Sequence, residues 1–104
     1  MLNLLREWPM SVNIKFNHIE QTEQISEMVE GALSDLIKIT DDRYRFNVKL
    51  SKEQDGYHVN INCSYHNKPI ISKAANENLP KALSESVHAM RTQIIRKSDK
   101  IRNN

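Results

Sequence analysis

The chain has 104 residues, a single cysteine, a hydrophobic content of 38% and a formal net charge of +2. These values predict one globular domain and exclude an internal disulfide, and no run reaches the ~20 apolar residues that a membrane-spanning helix needs. Residues 1–9 are too short and too charged for a secretory signal. We therefore expect a cytoplasmic protein in which residues 1–9 form an extension outside a single domain of residues 10–104.

In chain order, the first half of the sequence predicts a strand, a helix and a second strand. Residues 11–16 alternate between apolar and polar positions, as a half-buried strand does. Thr22 is predicted to cap a helix that has one apolar stripe and ends between residues 37 and 40. Residues 43–50 alternate again. Asp55-Gly56 then predicts a type I′ hairpin turn, because glycine accepts a positive φ.

The second half of the sequence predicts two more strands and a long helix. Residues 57–65 alternate over nine positions, residues 67–69 predict a second turn, and residues 70–74 a fourth strand. The last helix is predicted to start near Asn78. Its apolar face is formed by Leu79, Leu83, Val87, Met90, Ile94 and Ile101. The order β-α-β-β-β-α predicts an α+β two-layer sandwich, with both helices on one face of a four-stranded sheet.

The charges are distributed unevenly along the chain. Residues 20–42 contain seven acids and one base, whereas residues 43–74 contain six bases and two acids, and residues 91–104 five bases and one acid. Such segregation predicts a basic surface on a nearly neutral body. The alternative is that the two helices pair their oppositely charged outer faces with each other.

The open face of the predicted sheet is also basic. It would carry asparagine and histidine side chains, no acid at a strand position, and the cations Lys15, Arg43, Arg45, Lys49 and Lys73. Lysines on solvated strands can serve only to prevent edge pairing, so a structural role and a binding role both remain open.

No pattern in the sequence is typical of catalysis or of a metal site. Cys63 falls on the buried side of its strand, and His58 and His66 have the opposite parity. Neither a paired-carboxylate arrangement nor a glycine-rich phosphate loop is found. We therefore expect a non-enzymatic protein with no metal or other cofactor, whose basic surface suits the phosphates of structured RNA.

Three stretches resemble a known protein family. VNIKFNHIEQTEQISEMVEGALSDL is similar to its first strand and helix, DGYHVNINC to its hairpin, and ENLPKALSESVHAMRTQIIRKSDKIR to its final basic helix. The family is that of the short ribosome hibernation promoting factors, ribosome-associated inhibitor A and the sigma modulation proteins. The resemblance implies the same β-α-β-β-β-α fold. It also implies binding to the small ribosomal subunit, in the channel for messenger and transfer RNA, which blocks translation in stationary phase or stress.

The resemblance assigns RNA-binding roles to the cations Arg96, Lys97, Lys100 and Arg102. Charge alone adds Arg91, Lys38, Arg43 and Arg45 as candidates. The family's cations are expected to be missing at Ala32, Asp35, Ala89, Thr92 and Ile95. The alternative function is therefore that of a divergent paralogue, a protein-interaction module that could form a weak homodimer through Ile95 or residues 1–9.

Overall fold

The computed structural model describes residues 12–40 and 44–102, with the side chains of residues 12–40 and 44–98. The elements are β1 (Val12–Asn17), α1 (Glu23–Ile39), β2 (Phe46–Glu53), β3 (Gly56–Tyr65), β4 (Lys68–Asn76) and α2 (Leu79–Arg102). This order confirms the predicted β-α-β-β-β-α arrangement. The predicted extension of residues 1–9 lies outside the described residues. Among those described, no helix is long and apolar enough to cross a bilayer.

The four strands form one mixed sheet in the order β1-β2-β3-β4. β1 runs parallel to β2, because α1 forms the crossover between them, and the two remaining pairs are antiparallel hairpins. Both helices contribute to one core with the inward side of the sheet. The fully buried members of that core include Val29, Leu33, Leu36, Phe46, Leu50, Val59, Ile61, Ala82 and Met90. The predicted α+β sandwich is confirmed.

Capping side chains fix both ends of α1. The Thr22 side-chain oxygen accepts a hydrogen bond from the Ile25 backbone N–H at 3.1 Å, as the sequence predicts. At the other end, the buried Thr40 hydroxyl donates to the Leu36 carbonyl at 2.8 Å. Helix α1 therefore ends at Ile39, within the predicted range.

Both hairpin turns differ from the predictions. The β2–β3 loop consists of Gln54 and Asp55, and Gly56, with φ of 131°, is the first residue of β3. The β3–β4 loop consists of His66 and Asn67, with φ of 52° and 65°. Positive φ at both central residues defines a type I′ turn, so the second hairpin has this turn and the first does not. The predicted turn at residues 67–69 was wrong, since β4 already begins at residue 68.

Helix α2 begins with the predicted cap and packs closely on β4. The Asn78 side chain accepts from the Lys81 backbone N–H at 3.0 Å. Along the helix, the buried Ser86 carbonyl accepts from the Ser72 hydroxyl at 2.9 Å. The Gln93 amide donates to the Ile71 carbonyl at 2.9 Å. The predicted apolar face of α2 is buried at Leu79, Leu83, Met90 and Ile94 and half-buried at Val87. The side chain of Ile101 is not among those that the structure describes.

Candidate nucleic-acid interface

The C-terminal halves of the two helices lie at the same end of the molecule. Strands β1 and β4 run in the same direction and each is followed by a helix that returns over the sheet, so the helices also run in the same direction, with a groove between them that is lined by Met28 and Asp35 of α1 and by Leu83 and Arg91 of α2. Because α1 returns the chain to the start of β2, this end also holds the residue before that strand. We call it the basic end, and its described cations are Lys38, Arg45, Lys68, Arg91, Arg96 and Lys97.

The structure brings five of the eight predicted RNA-binding residues to the basic end. Lys38, Arg45, Arg91 and Arg96 are exposed, and Lys97 is half-buried. Arg43 lies outside the described residues. The backbone of α2 includes Lys100 and Arg102, but their side chains are outside the description.

Arg91 is the cation of the basic end that faces an acid on the neighbouring helix. Its Nε lies 4.0 Å from Oδ2 of Asp35, and the two side chains are 45% and 66% exposed. An exposed pair at this distance contributes little to stability, because solvent screens it. The predicted alternative of mutually paired helix faces therefore has a weak counterpart at this contact, while Lys38 and Arg96 are exposed.

An aromatic cluster lies beside Arg45 at the corner of the sheet. The Tyr44 and Tyr65 ring centroids are 4.7 Å apart, and the Tyr65 and His66 centroids are 4.5 Å apart. The Tyr44 hydroxyl lies 3.2 Å from Nε2 of His66, which is itself exposed. Sequence reasoning missed this cluster, because only the β2–β3 register places residue 44 beside the end of β3.

A ladder of three asparagines crosses the open face of the sheet. The strand register aligns Asn13, Asn47 and Asn62 on neighbouring strands. Asn13 donates to Asn47 at 3.3 Å, and Asn47 donates to Asn62 at 3.2 Å. The ladder was also missed, since the sequence does not reveal the register of a parallel pair joined through a helix.

A row of lysines lies next to the asparagine ladder. Lys15 is aligned with Lys49, Lys49 with Asn60, and Asn60 with Lys73. Asn13, Lys15, Asn47, Lys49 and Asn62 line a shallow depression of about 310 Å³. Lys15, Lys49 and Lys73 are exposed and aligned in this row on the open face, where their strand parity predicts them.

The predicted absence of acids from the open face was wrong at the β2–β3 hairpin. Glu53 is the last residue of β2 and has the same parity as Lys49. Asp55 follows in the turn, and one carboxylate oxygen lies 2.9 Å from Nε2 of His58. That hydrogen bond, together with one from its own backbone, lowers the pKa of Asp55. These acids are at the opposite end of the sheet from Arg45.

Cys63 is a core residue, as predicted from its parity. Its side chain is buried between the sheet and the helices, and burial raises its pKa to about 11. His58 contacts Asp55 and His66 contacts Tyr44, both on other parts of the surface. Among the described residues, no three side chains of His, Cys, Asp or Glu are grouped closely enough to hold a metal ion.

Folded protein is expected to resist alkylation of Cys63. At about pH 8 iodoacetamide needs a thiolate and access to it, and burial removes both, so modification should occur only in concentrated urea. Because burial raises the pKa of the Cys63 thiol in the folded state, the same thiol in the unfolded state loses its proton at a lower pH. The free energy of unfolding should therefore fall as the pH rises from 9.0 to about 11, and a Cys63→Ser variant should lack this fall. Rapid alkylation of the folded protein would contradict the buried assignment.

Residues 12–102 match the sequence family described as sigma 54 modulation protein / S30EA ribosomal protein. The chain belongs to this family. The resemblance predicted from the three sequence stretches is thereby confirmed. A search of curated protein sequences gives no match to this S30EA family member.

Two solved structures share the fold of this S30EA family member. The N-terminal domain of Thermus thermophilus Protein Y superposes with a TM-score of 0.74 at 22% identity, over 84% of this chain and 98% of that chain. A ribosomal subunit interface protein from Coxiella burnetii superposes with a TM-score of 0.75 at 15% identity, over 85% of this chain and 97% of that chain. At these identities the comparisons show the common fold alone.

The five positions predicted to lack a family cation lie on the helical layer of this S30EA family member. Ala32 and Asp35 line the groove between the helices. Ala89 and Thr92 are half-buried, and Ile95 is 38% exposed, as expected for the polar side of α2. The positive charge of the described helices is therefore concentrated toward their C-terminal ends rather than along their lengths.

Proposed function

We propose that this protein is a ribosome-associated factor that inhibits translation by binding the RNA of the small ribosomal subunit through its basic end. The observation that carries the proposal is the family match over residues 12–102. A cytoplasmic location and a role in stress or stationary phase follow from the same proposal. The Coxiella burnetii structure, described as a ribosomal subunit interface protein, supports the choice of partner.

The charge arrangement supports an RNA partner. Lys38 lies in the last turn of α1, and Arg96 lies well along α2, both exposed. The C-terminal end of a helix carries partial negative charge, so the helix backbones cannot attract phosphate there and the side-chain cations must supply the attraction. Each phosphate that they neutralise releases counterions, which makes binding strong at low salt and weak at high salt.

The shape of the basic end favours structured RNA over an unstacked single strand. In the aromatic cluster beside Arg45, Tyr65 is buried, Tyr44 is half-buried and the single imidazole ring of His66 is exposed. Base-stacking platforms need exposed ring faces, whereas the wide, shallow minor groove of A-form RNA is read through phosphates and 2′-hydroxyls. We therefore expect recognition by shape and charge with little base preference.

Replacing Arg96 and Lys97 together with glutamine is expected to weaken binding to isolated small subunits. Two lost phosphate contacts should make the negative slope of log K against log salt shallower by about 1.5–2, and the weaker binding should be visible as reduced co-sedimentation. The matched control is Lys52→Gln with Lys81→Gln, which removes the same charge from exposed positions at the opposite end of the molecule. The control should bind almost as the parent protein does.

The melting temperature separates an RNA-binding role of these cations from a structural one. Substitution of the exposed Arg96 should change stability by less than about 0.5 kcal/mol, and glutamine at the half-buried Lys97 keeps part of the apolar stem and should cost little more. A large loss of stability in the Arg96/Lys97 variant would mark the pair as structural, and absence of any ribosome association by the parent protein at low salt would refute the proposal.

The protein-interaction alternative is favoured by the exposure of Ile39 (40%) and Ile95 (38%). Sedimentation of the free protein as a monomer would count against self-association through Ile95 or residues 1–9.

A further inference from the structure

We propose that the open face of the sheet is a second RNA-binding surface, which adjoins the basic end at Arg45 and holds the phosphates of one RNA strand. We call it the Lys–Asn face and define it by Lys15, Lys49, Lys73, Asn13, Asn47, Asn60 and Asn62. The inference rests on the proposed function, because only that proposal identifies the RNA as ribosomal. The strand alignments and side-chain hydrogen bonds that support the inference lie within the sheet and do not involve the helices.

The alignment of Lys15 with Lys49 places two exposed like charges side by side on neighbouring strands, an arrangement that is mildly unfavourable. Like charges directly opposite each other on neighbouring strands repel, and no described acid shares this row to offset them. Protection of a sheet edge does not explain Lys49, because β2 is paired on both sides. A bound anion resolves the repulsion, since it attracts both ammonium groups.

The asparagine ladder adds neutral donors beside the lysines. An asparagine amide has two N–H donors. Within the described residues, the Asn62 amide accepts from Asn47 and donates to no protein group, and the side chain is exposed. The hydrogen bonds along the ladder hold the three amides in a fixed order. Asn62 therefore offers an oriented donor to a phosphate or hydroxyl oxygen next to Lys49.

The dimensions of the Lys–Asn face suit a short stretch of nucleic-acid backbone. Neighbouring strands are ~4.8 Å apart, so the row from Lys15 to Lys73 spans roughly 14 Å. A nucleic-acid strand carries one charge per ~3.4 Å of rise along the helix axis, so a row of this length can contact more than one successive phosphate. The asparagine ladder lies two residues along the strands, roughly 7 Å away. The shallow depression between the two rows can seat the backbone.

An RNA strand fits the Lys–Asn face better than an acidic protein does. Protein interfaces depend on a few buried aromatic or aliphatic anchors near their centre. Here the centre consists of lysine and asparagine, and the exposed Ile71 lies on the edge strand β4. The face therefore provides charge and hydrogen-bond donors without a hydrophobic centre.

The test replaces Lys15 and Lys49 together with glutamine. Binding to a fluorescently labelled A-form RNA duplex and to small ribosomal subunits is measured over a series of salt concentrations, beside the Lys52/Lys81 control. We expect the negative slope of log K against log salt to become shallower by about 1.5–2 relative to the control. The melting temperature should be unchanged or slightly higher, since a repulsive pair is removed. If the two surfaces bind RNA independently, the changes in log K for Lys15/Lys49 and Arg96/Lys97 should add.

The possible outcomes separate this inference from the proposed function. Unchanged RNA binding and salt slope in the Lys15/Lys49 variant, with the parent bound to small subunits, would overturn the inference and leave the proposed function intact. The parent protein could instead bind the duplex through Lys15 and Lys49 without binding small subunits. That result would overturn the proposed function and support an RNA-binding Lys–Asn face. Competition by poly-glutamate as effective as that by RNA would overturn the inference in favour of an acidic protein partner.

Discussion

Replacing Phe46 with alanine is expected to lower the free energy of unfolding by about 3–5 kcal/mol. Phe46 is completely buried at the start of β2, where it is aligned with Val12 of β1 and Cys63 of β3. Truncation removes a large apolar surface from the core and leaves a cavity beneath three strands. A domain of this size has a total stability of about 5–15 kcal/mol, so the loss is a large share of it.

Urea unfolding followed by circular dichroism measures the effect of the Phe46 substitution. The midpoint should fall with little change in slope, and the melting temperature should fall by at least about 15 °C. Ile71→Ala is the control, because the Ile71 side chain is 54% exposed on an edge strand, and it should cost less than about 1 kcal/mol. Equal losses for the two variants would contradict the description of Phe46 as a central core residue.

The two glycines are expected to respond to the same substitution with opposite signs. Gly56→Ala should lower the free energy of unfolding by about 2–4 kcal/mol, because φ at Gly56 is 131° and a Cβ there would lie 2.8 Å from the Asn76 carbonyl oxygen. Gly31 lies on the exposed side of α1, and a Cβ there meets nothing within 4 Å. Gly31→Ala should raise stability by about 0.5–1 kcal/mol, since alanine is the better helix former.

Thermal and urea unfolding of both glycine variants test this expectation together. The difference between them should be at least about 2.5 kcal/mol, which cannot arise from a general effect of an added methyl group. Gly56→Ala with parental stability would show that Asn76 and Glu77 can move away at no cost. The hairpin would then not depend on the close approach of β3 to the start of α2.

Helices and strands whose apolar residues recur at a regular spacing were predictable from the sequence, whereas the turns were less predictable. The apolar stripe and the Thr22 cap place α1 correctly, because both depend only on residues near in sequence. Gly56 was assigned to a type I′ turn, but its positive φ serves the start of β3, where the backbone of Asn76 comes close. The type I′ turn instead uses His66 and Asn67, and a histidine at such a position is a weak sequence signal.

The candidate surfaces depend on longer-range geometry than the elements do. The charge count identified a basic end of α2, but only the parallel arrangement of the helices places Arg91 beside Asp35. The parity of each strand predicted that Lys15 and Lys49 share a face. Their direct alignment depends on the register of β1 against β2, two strands joined through a helix and not through a turn that would fix the register locally.

The hydrogen bond from Gln93 to the Ile71 carbonyl has a consequence for assembly. β4 is an edge strand, and a free row of backbone acceptors on such a strand can recruit a strand from another molecule. Gln93 occupies one of these acceptors with a side chain from α2. Continuous strand addition at this edge would require the incoming chain to displace that amide. The last helix of the chain therefore hinders the addition of further strands to β4, both sterically and through its hydrogen bond, and so opposes fibril-like growth.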